Sequence, residues 1–152
     1  TDDVLKLQFV GKAKRTFKIK PIDMEYNSPM LPSIDYPVTV ELDYKLLQET
    51  IKDCELYDEK ITLNILEDHL ETKSEGSFGE YASFIELERI VNGSYKSTFS
   101  SNWLKKFFKI NNINPIINLS MGEDIPLFLK LEDYDGLEVS FLLAPRIEQE
   151  EI

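Results

Sequence analysis

What the sequence has little of sets its first limits. A single cysteine, Cys54, excludes an internal disulfide and any cysteine-built metal cage. Its place in an apolar helical pattern predicts a core thiol rather than a nucleophile. The single histidine, His69, opens a strand after a turn, where a solvated or structural role is expected. No phosphate-binding glycine loop, nucleophile elbow or zinc spacing occurs. Two carboxylate pairs are the remaining enzyme-like feature. Glu123 with Asp124 opens a strand and Asp133 with Asp135 flanks a hairpin turn, positions where acids are routine. No catalytic residue, cofactor or metal site is therefore expected. No apolar run approaches the roughly 18 residues that cross a bilayer, and no charged-then-apolar leader opens the chain. A soluble, non-secreted protein without a membrane partner is expected, and Thr1 in place of Met suggests a processed or cut start.

What is present is a chain of 152 residues, 42% hydrophobic, enough for one ordinary domain with a core, or one domain plus a fragment of another. Its net charge of -11 argues against a nucleic-acid partner until the placement of charge is considered. From Val4 to Ile22 there are six basic residues (Lys6, Lys12, Lys14, Arg15, Lys18, Lys20) and no acid. From Arg89 to Gly122 there are five (Arg89, Lys96, Lys105, Lys106, Lys109), again without an acid. The acids crowd elsewhere, which predicts a folded molecule with acidic and basic faces.

Periodicity places the lysines. In "SSNWLKKFFKIN" (100–111) a helical period seats Trp103, Leu104, Phe107 and Phe108 on one side and turns Asn102, Lys105, Lys106 and Lys109 outward, with Ser100 or Ser101 as N-cap. In "DYKLLQETIKDC" (43–54) Asp43 caps a second helix, Tyr44, Leu47, Ile51 and Cys54 face inward, and Lys45 and Lys52 share the outer face with Glu49 nearby. Segments 37–42, 60–66, 69–75, 81–88, 95–99, 115–121, 126–132 and 137–143 read as strands. Glu67-Asp68, Gly76 to Gly79 and "DYDG" (133–136) supply turns.

The order strand, helix, three strands then occurs twice. The expected class is α+β: a duplicated β-α-β-β-β unit with two helices on one side of antiparallel sheets, so that both basic helical faces point one way. Residues 1–22 hold a terminal hairpin ("VLKLQFVG" and "RTFKIKPI") and 23–36 an extended linker with two prolines. A hairpin alone is barely stable in water, so the first 22 residues are expected to complete a sheet that lies elsewhere. Residues 37–146 form the main domain and 147–152 an acidic tail. The apolar strand "SFLLAPR" that runs into that tail is either the last piece of a core or a surface that something else covers.

The linker "IDMEY…P", the strand "GSFGEYASFIELE" and the end "MGEDIPLFLKLEDYDGLEVSFLLAPRIE", in that order, resemble DNA polymerase sliding clamps of the proliferating cell nuclear antigen (PCNA) type, in an archaeal flavour. The resemblance spans essentially the whole chain. It implies a DNA-clamp (processivity) fold, with 1–22 as the last hairpin of an otherwise missing first clamp domain, 23–36 as the interdomain connector and 37–146 as the second clamp domain.

It also implies a homo- or heterotrimeric ring around double-stranded DNA, held without regard to sequence by Lys45, Lys52, Lys105, Lys106 and Lys109. A pocket of Met30, Leu31, Ile125, Pro126, Leu142, Ala144, Pro145 and Arg146 would take PIP-box-type peptides of polymerase, flap endonuclease, ligase and clamp loader, with Arg146 to Glu148 offering backbone groups to the peptide as an added strand. Leu142 stands where many family members carry tyrosine. Subunits would join through Arg15, Phe17, Lys18 and Lys20 against Tyr81, Ser83, Ile85 and Glu86, with basic edge facing acidic edge, Glu80 and Glu88 included. The resemblance further implies an intracellular place, cytoplasmic if archaeal and nuclear if eukaryotic. A split or truncated clamp acting as a protein-binding adaptor, never holding DNA, is the rival reading.

Overall fold

The computed structural model describes residues 4–23, 25, 27–110, 113–133 and 135–147. The chain divides into two compact units, Thr1–Ile34 and Asp35–Ile152.

The first unit is a two-stranded antiparallel hairpin of β1 (Leu5–Val10) and β2 (Lys14–Ile19), with Leu7 opposite Phe17 and Phe9 opposite Arg15. Alternation puts Leu5, Leu7, Phe9, Phe17 and Ile19 on one face and Lys6, Lys14 and Lys18 on the other. Phe9 and Phe17 meet edge to face at 5.8 Å, yet both stay about half exposed (53% and 50%), so this apolar face is uncovered within its own unit.

The second unit realises the doubled order: β3 (Val38–Asp43), α1 (Tyr44–Cys54), β4 (Lys60–Ile65), β5 (His69–Gly76), β6 (Gly79–Glu86), then β7 (Tyr95–Ser100), α2 (Ser101–Phe107), β8 (Ile113–Met121), β9 (Leu127–Asp133) and β10 (Glu138–Leu143). The α+β class with antiparallel sheets and two helices is as expected. Periodicity did not disclose how the repeats interlock. One sheet runs β10-β9-β8-β3 and the other β6-β5-β4-β7, so the first strand of each repeat joins the other repeat's sheet. Val38 lies opposite Met121, and Lys60 opposite Ser100.

Strand alternation buries Val38, Val40 and Leu42 of β3, Ile61, Leu63 and Ile65 of β4, and Leu127, Leu129 and Leu131 of β9 in one core beneath the helices. Each such side chain stabilises the fold by roughly 1.5–3 kcal/mol relative to exposure. The β5–β6 turn depends on two glycines. A Cβ on Gly76 would stand 1.9 Å from the Tyr57 carbonyl oxygen, and Gly79 has φ +140.

Helix α1 forms as its sequence dictates. The Asp43 carboxylate accepts a hydrogen bond from the Leu46 N–H at 2.8 Å, and Leu47, Ile51 and Cys54 are buried. Burial pushes the Cys54 thiol up from 9.0 to about 11, as befits an inert core group.

Helix α2 departs from expectation in three ways. It ends at Phe107 rather than near 111, a position outside the described residues. Ser100 sits at the N-cap without a side-chain cap bond; instead the Ser101 N–H donates to the Glu59 carbonyl at 2.9 Å and its hydroxyl to the Asp58 carbonyl at 3.2 Å, so the loop between α1 and β4 holds the helix start. Trp103 is 55% exposed rather than seated, because the buried stripe runs through Ser101, Leu104 and Phe108 and Trp103 lies off it. Its ring is covered by the Lys106 ammonium, 3.8 Å from the centroid.

Candidate nucleic-acid and peptide interfaces

The two helices lie side by side. The Gln48 side-chain N–H donates to the Phe108 carbonyl, the Tyr44 hydroxyl donates to the Ile110 carbonyl at 3.1 Å, and the Tyr44 and Phe108 rings meet at 5.1 Å. Between the helices runs a groove of about 410 Å³ lined by Gln48, Glu49, Lys52, Glu55, Lys105 and Lys109. Lys45, Lys52, Lys106 and Lys109 are exposed. Lys105 differs from the expected free, outward cation. It is half-buried and ion-paired with Glu55, which follows the last turn of α1, because its position on α2 faces α1 rather than solvent. The structure thus places four of the five expected lysines on this pair of helices and Lys109 in the turn that follows α2, and it engages Lys105 internally.

On the other face of the β10-β9-β8-β3 sheet, Phe128 lies opposite Leu142, and Tyr36 stacks on Phe128 with centroids 6.2 Å apart and planes 26° apart. The Tyr36 hydroxyl oxygen is buried without a partner among the described residues, and burial raises its pKa. Ile125 and Pro126 lead into β9, and the pairing of Leu143 with Leu127 brings Ala144 and Pro145 beside them. A Cβ on Gly122 would stand 2.8 Å from Ile125 Cδ1 and 2.9 Å from Pro37 Cγ, so this glycine lets both pack closely. Tyr36 and Phe128 were not among the expected pocket residues. The outward position of Phe128 in the alternating "PLFLKLE" is the signal that would have found it.

Arg146 is placed differently from expectation. Its N–H donates to the Thr98 carbonyl at 2.7 Å and its guanidinium to Glu59 at 2.8 Å, so the amide expected to face a peptide closes the free edge of β7 instead. Glu148 lies outside the described residues. Met30 (94%) and Leu31 (69%) are exposed in the extended segment of the first unit.

The subunit-edge residues divide by strand face. β6 is the outermost strand of its sheet. Ile85 is 5% exposed and belongs to the core. The Tyr81 hydroxyl donates to Asp53 at 3.4 Å, and the Ser83 and Thr72 hydroxyls are 2.7 Å apart. These three side chains are therefore committed inward by alternation. The β6 edge presents its backbone together with exposed Glu80, Ala82, Phe84 and Glu86. Behind Phe84, the His69 ring meets it at 5.3 Å and pairs with Asp68 at 2.6 Å, a hydrogen bond that pulls the Asp68 carboxyl below its usual range. On β2, Arg15 and Phe17 share the apolar face and Lys18 the opposite one, while Lys20 follows the strand.

Glu123, Asp124 and Asp135 lie exposed in turns. Among the described residues no cluster of His, Cys, Asp and Glu has a metal-holding arrangement, and no helix is long and apolar enough to cross a membrane.

No family model matches the sequence. The DNA polymerase sliding clamp of Methanothermobacter thermautotrophicus is 39% identical over 150 residues, covering 97% of this chain and 61% of its own length. That of Methanobrevibacter smithii is 34% identical over 146 residues, covering 95% and 60%. A crystal structure of PCNA from Thermococcus kodakaraensis superposes with a TM-score of 0.80 at 25% identity, covering 94% of this chain and 61% of that one. The chain spans about three-fifths of the length of the relatives it matches. In sequence and in fold, this chain is a relative of the archaeal DNA polymerase sliding clamps of the PCNA type.

Proposed function

We propose that the chain serves as a sliding-clamp subunit, a processivity factor that holds duplex DNA against α1 and α2 and docks replication and repair proteins on the opposite face. What supports this most is the side-by-side placement of the two helices, with Lys45, Lys52 and Lys106 exposed on them and Lys109 exposed in the turn after α2, in a protein whose net charge is -11. Ammonium groups on long stems neutralise phosphates without reading bases, which gives a contact indifferent to sequence and able to move. The acidic remainder discourages DNA from adhering elsewhere.

The docking site is the apolar patch of Tyr36, Ile125, Pro126, Phe128, Leu142, Ala144 and Pro145, suited to a PIP-box-type peptide. Self-association into a trimer pairs the open edge of β2 in one copy with that of β6 in the next, basic Arg15, Lys18 and Lys20 against Glu80 and Glu86. The role requires no bond-making chemistry. Its test is the triple change of Lys52, Lys106 and Lys109 to Gln. Loss of duplex affinity and of polymerase stimulation, with partner-peptide binding kept, is the expected result. Partner-peptide binding and function that survive the triple change, in a protein whose wild type shows no duplex affinity, favour the adaptor reading.

A further inference from the structure

The groove between α1 and α2 contains an acid that neither its helix nor a DNA-holding surface favours. Glu55 occupies the C-cap of α1, where the helix dipole is negative and a cation is preferred. Lys52, one turn earlier, follows that preference. Glu55 is also the direct partner of Lys105, one of the cations on the shared basic surface. Both side chains are partly shielded, with 39% of Lys105 and 30% of Glu55 exposed, so salt screens this pair less than an open surface pair. The Gln48 to Phe108 bond beside it holds the two helices at a fixed spacing.

We infer that Glu55 is a built-in competitor for DNA phosphate: it occupies Lys105 in the free protein and lowers by one the number of phosphates this surface neutralises. The inference rests on the reading of α1 and α2 as the DNA-holding face. Duplex DNA then meets Lys45, Lys52, Lys106 and Lys109 directly, and Lys105 joins only by leaving Glu55. A surface that must hold a duplex while letting it move gains from a contact weakened in this way. Glu49 provides the comparison. It lines the same groove and is exposed, and among the described residues it makes no ion pair, so removing its charge changes the field without releasing a lysine.

The test measures duplex affinity of the full chain against salt concentration for wild type, Glu55→Gln, Glu49→Gln and Glu55→Gln/Lys105→Gln. Freeing Lys105 in Glu55→Gln is expected to steepen the slope of log affinity against log salt by about 0.9, which widens the affinity ratio between 50 and 200 mM roughly 3-fold. Glu49→Gln is expected to raise affinity at an unchanged slope, and the double variant to return to the wild-type slope. In the wild-type protein the Glu55 carboxylate carbon resonance is expected to move on duplex titration, a readout that needs no variant to fold. Equal slopes for Glu55→Gln and Glu49→Gln, with a still Glu55 resonance, overturn the inference and leave the DNA-holding reading standing. Salt-independent affinity that ignores loss of Lys52 and Lys109 sinks both.

Discussion

Phe107 at the end of α2 stacks on Phe141 of β10, with ring centroids 4.3 Å apart and planes 18° apart. The helix that carries Lys106 is thereby fastened to the strand whose next residue, Leu142, belongs to the apolar patch on the other face. Phe141→Ala is expected to destabilise the protein by roughly 2–3 kcal/mol, less than the ~3–5 of a fully buried Phe→Ala because both rings are only half-buried. Denaturant unfolding measures it; a loss below about 1 kcal/mol means the stack does not anchor α2.

The unpaired Tyr36 hydroxyl makes a prediction of opposite sign. A buried hydroxyl without a partner costs about 1–3 kcal/mol, so Tyr36→Phe keeps the stack on Phe128 and is expected to leave stability unchanged or raise it by about 1 kcal/mol. A clear loss in Tyr36→Phe shows that the hydroxyl has a partner in solution.

Removing the ring contacts of the patch tests docking apart from folding. Phe128→Ala with Leu142→Ala is expected to weaken a PIP-box-type peptide at least about 10-fold, since a few central apolar anchors carry most of such binding energy. Duplex affinity should stay at the wild-type value. Calorimetric peptide titration beside a DNA-retention assay separates the two, and a joint loss points to unfolding rather than docking.

The Cys54 thiol links stability to alkaline pH. Its folded pKa is raised from 9.0 to about 11 by burial, so between those values the unfolded chain gives up the proton and the folded chain keeps it. Stability is full below pH 9 and falls as pH rises towards 11, by up to ~2–3 kcal/mol from this group. Tyr36, Tyr44 and Tyr81, also raised by burial, add a decline in the same direction above pH 10. The difference between wild type and Cys54→Ala, followed by urea titration across that range, isolates the thiol; parallel curves refute its part.

Pairing of β2 with β6 predicts self-association that weakens with salt, because the exposed charges on the two edges are of opposite sign. Sedimentation equilibrium is expected to give a larger mass at low ionic strength than at 1 M salt. The same monomer mass at both, up to high protein concentration, removes the interface.

Alternation and capping made most of the fold legible from residues alone. All eight expected strands of the second unit appear, their bounds moved by a residue or two, and Asp43 caps α1 as its sequence dictates. Direction on a short helix was less legible. Trp103 and Lys105 each sit one step off the expected side of α2, because a seven-residue helix is oriented by its neighbours, Glu55 on one flank and Phe141 on the other, more than by its own period. Arg146 was misplaced for a related reason: its amide partner, Thr98, is remote in sequence and is brought near only by strand pairing. Charge spacing pointed to Lys45, Lys52, Lys106 and Lys109, which are exposed, whereas the contact of Tyr36 with Phe128 emerged only when the sheet showed which side they share.

The exchange of β3 and β7 between the repeats has a consequence for assembly. Neither copy of the ancestral-looking motif closes its own hydrophobic interior, since β3 waits for β8 across most of the domain before it acquires a neighbour. Such distant pairing is slow to nucleate. Helix α1, with Lys45 and Lys52, is therefore made well before β8, the strand that β3 needs as its neighbour.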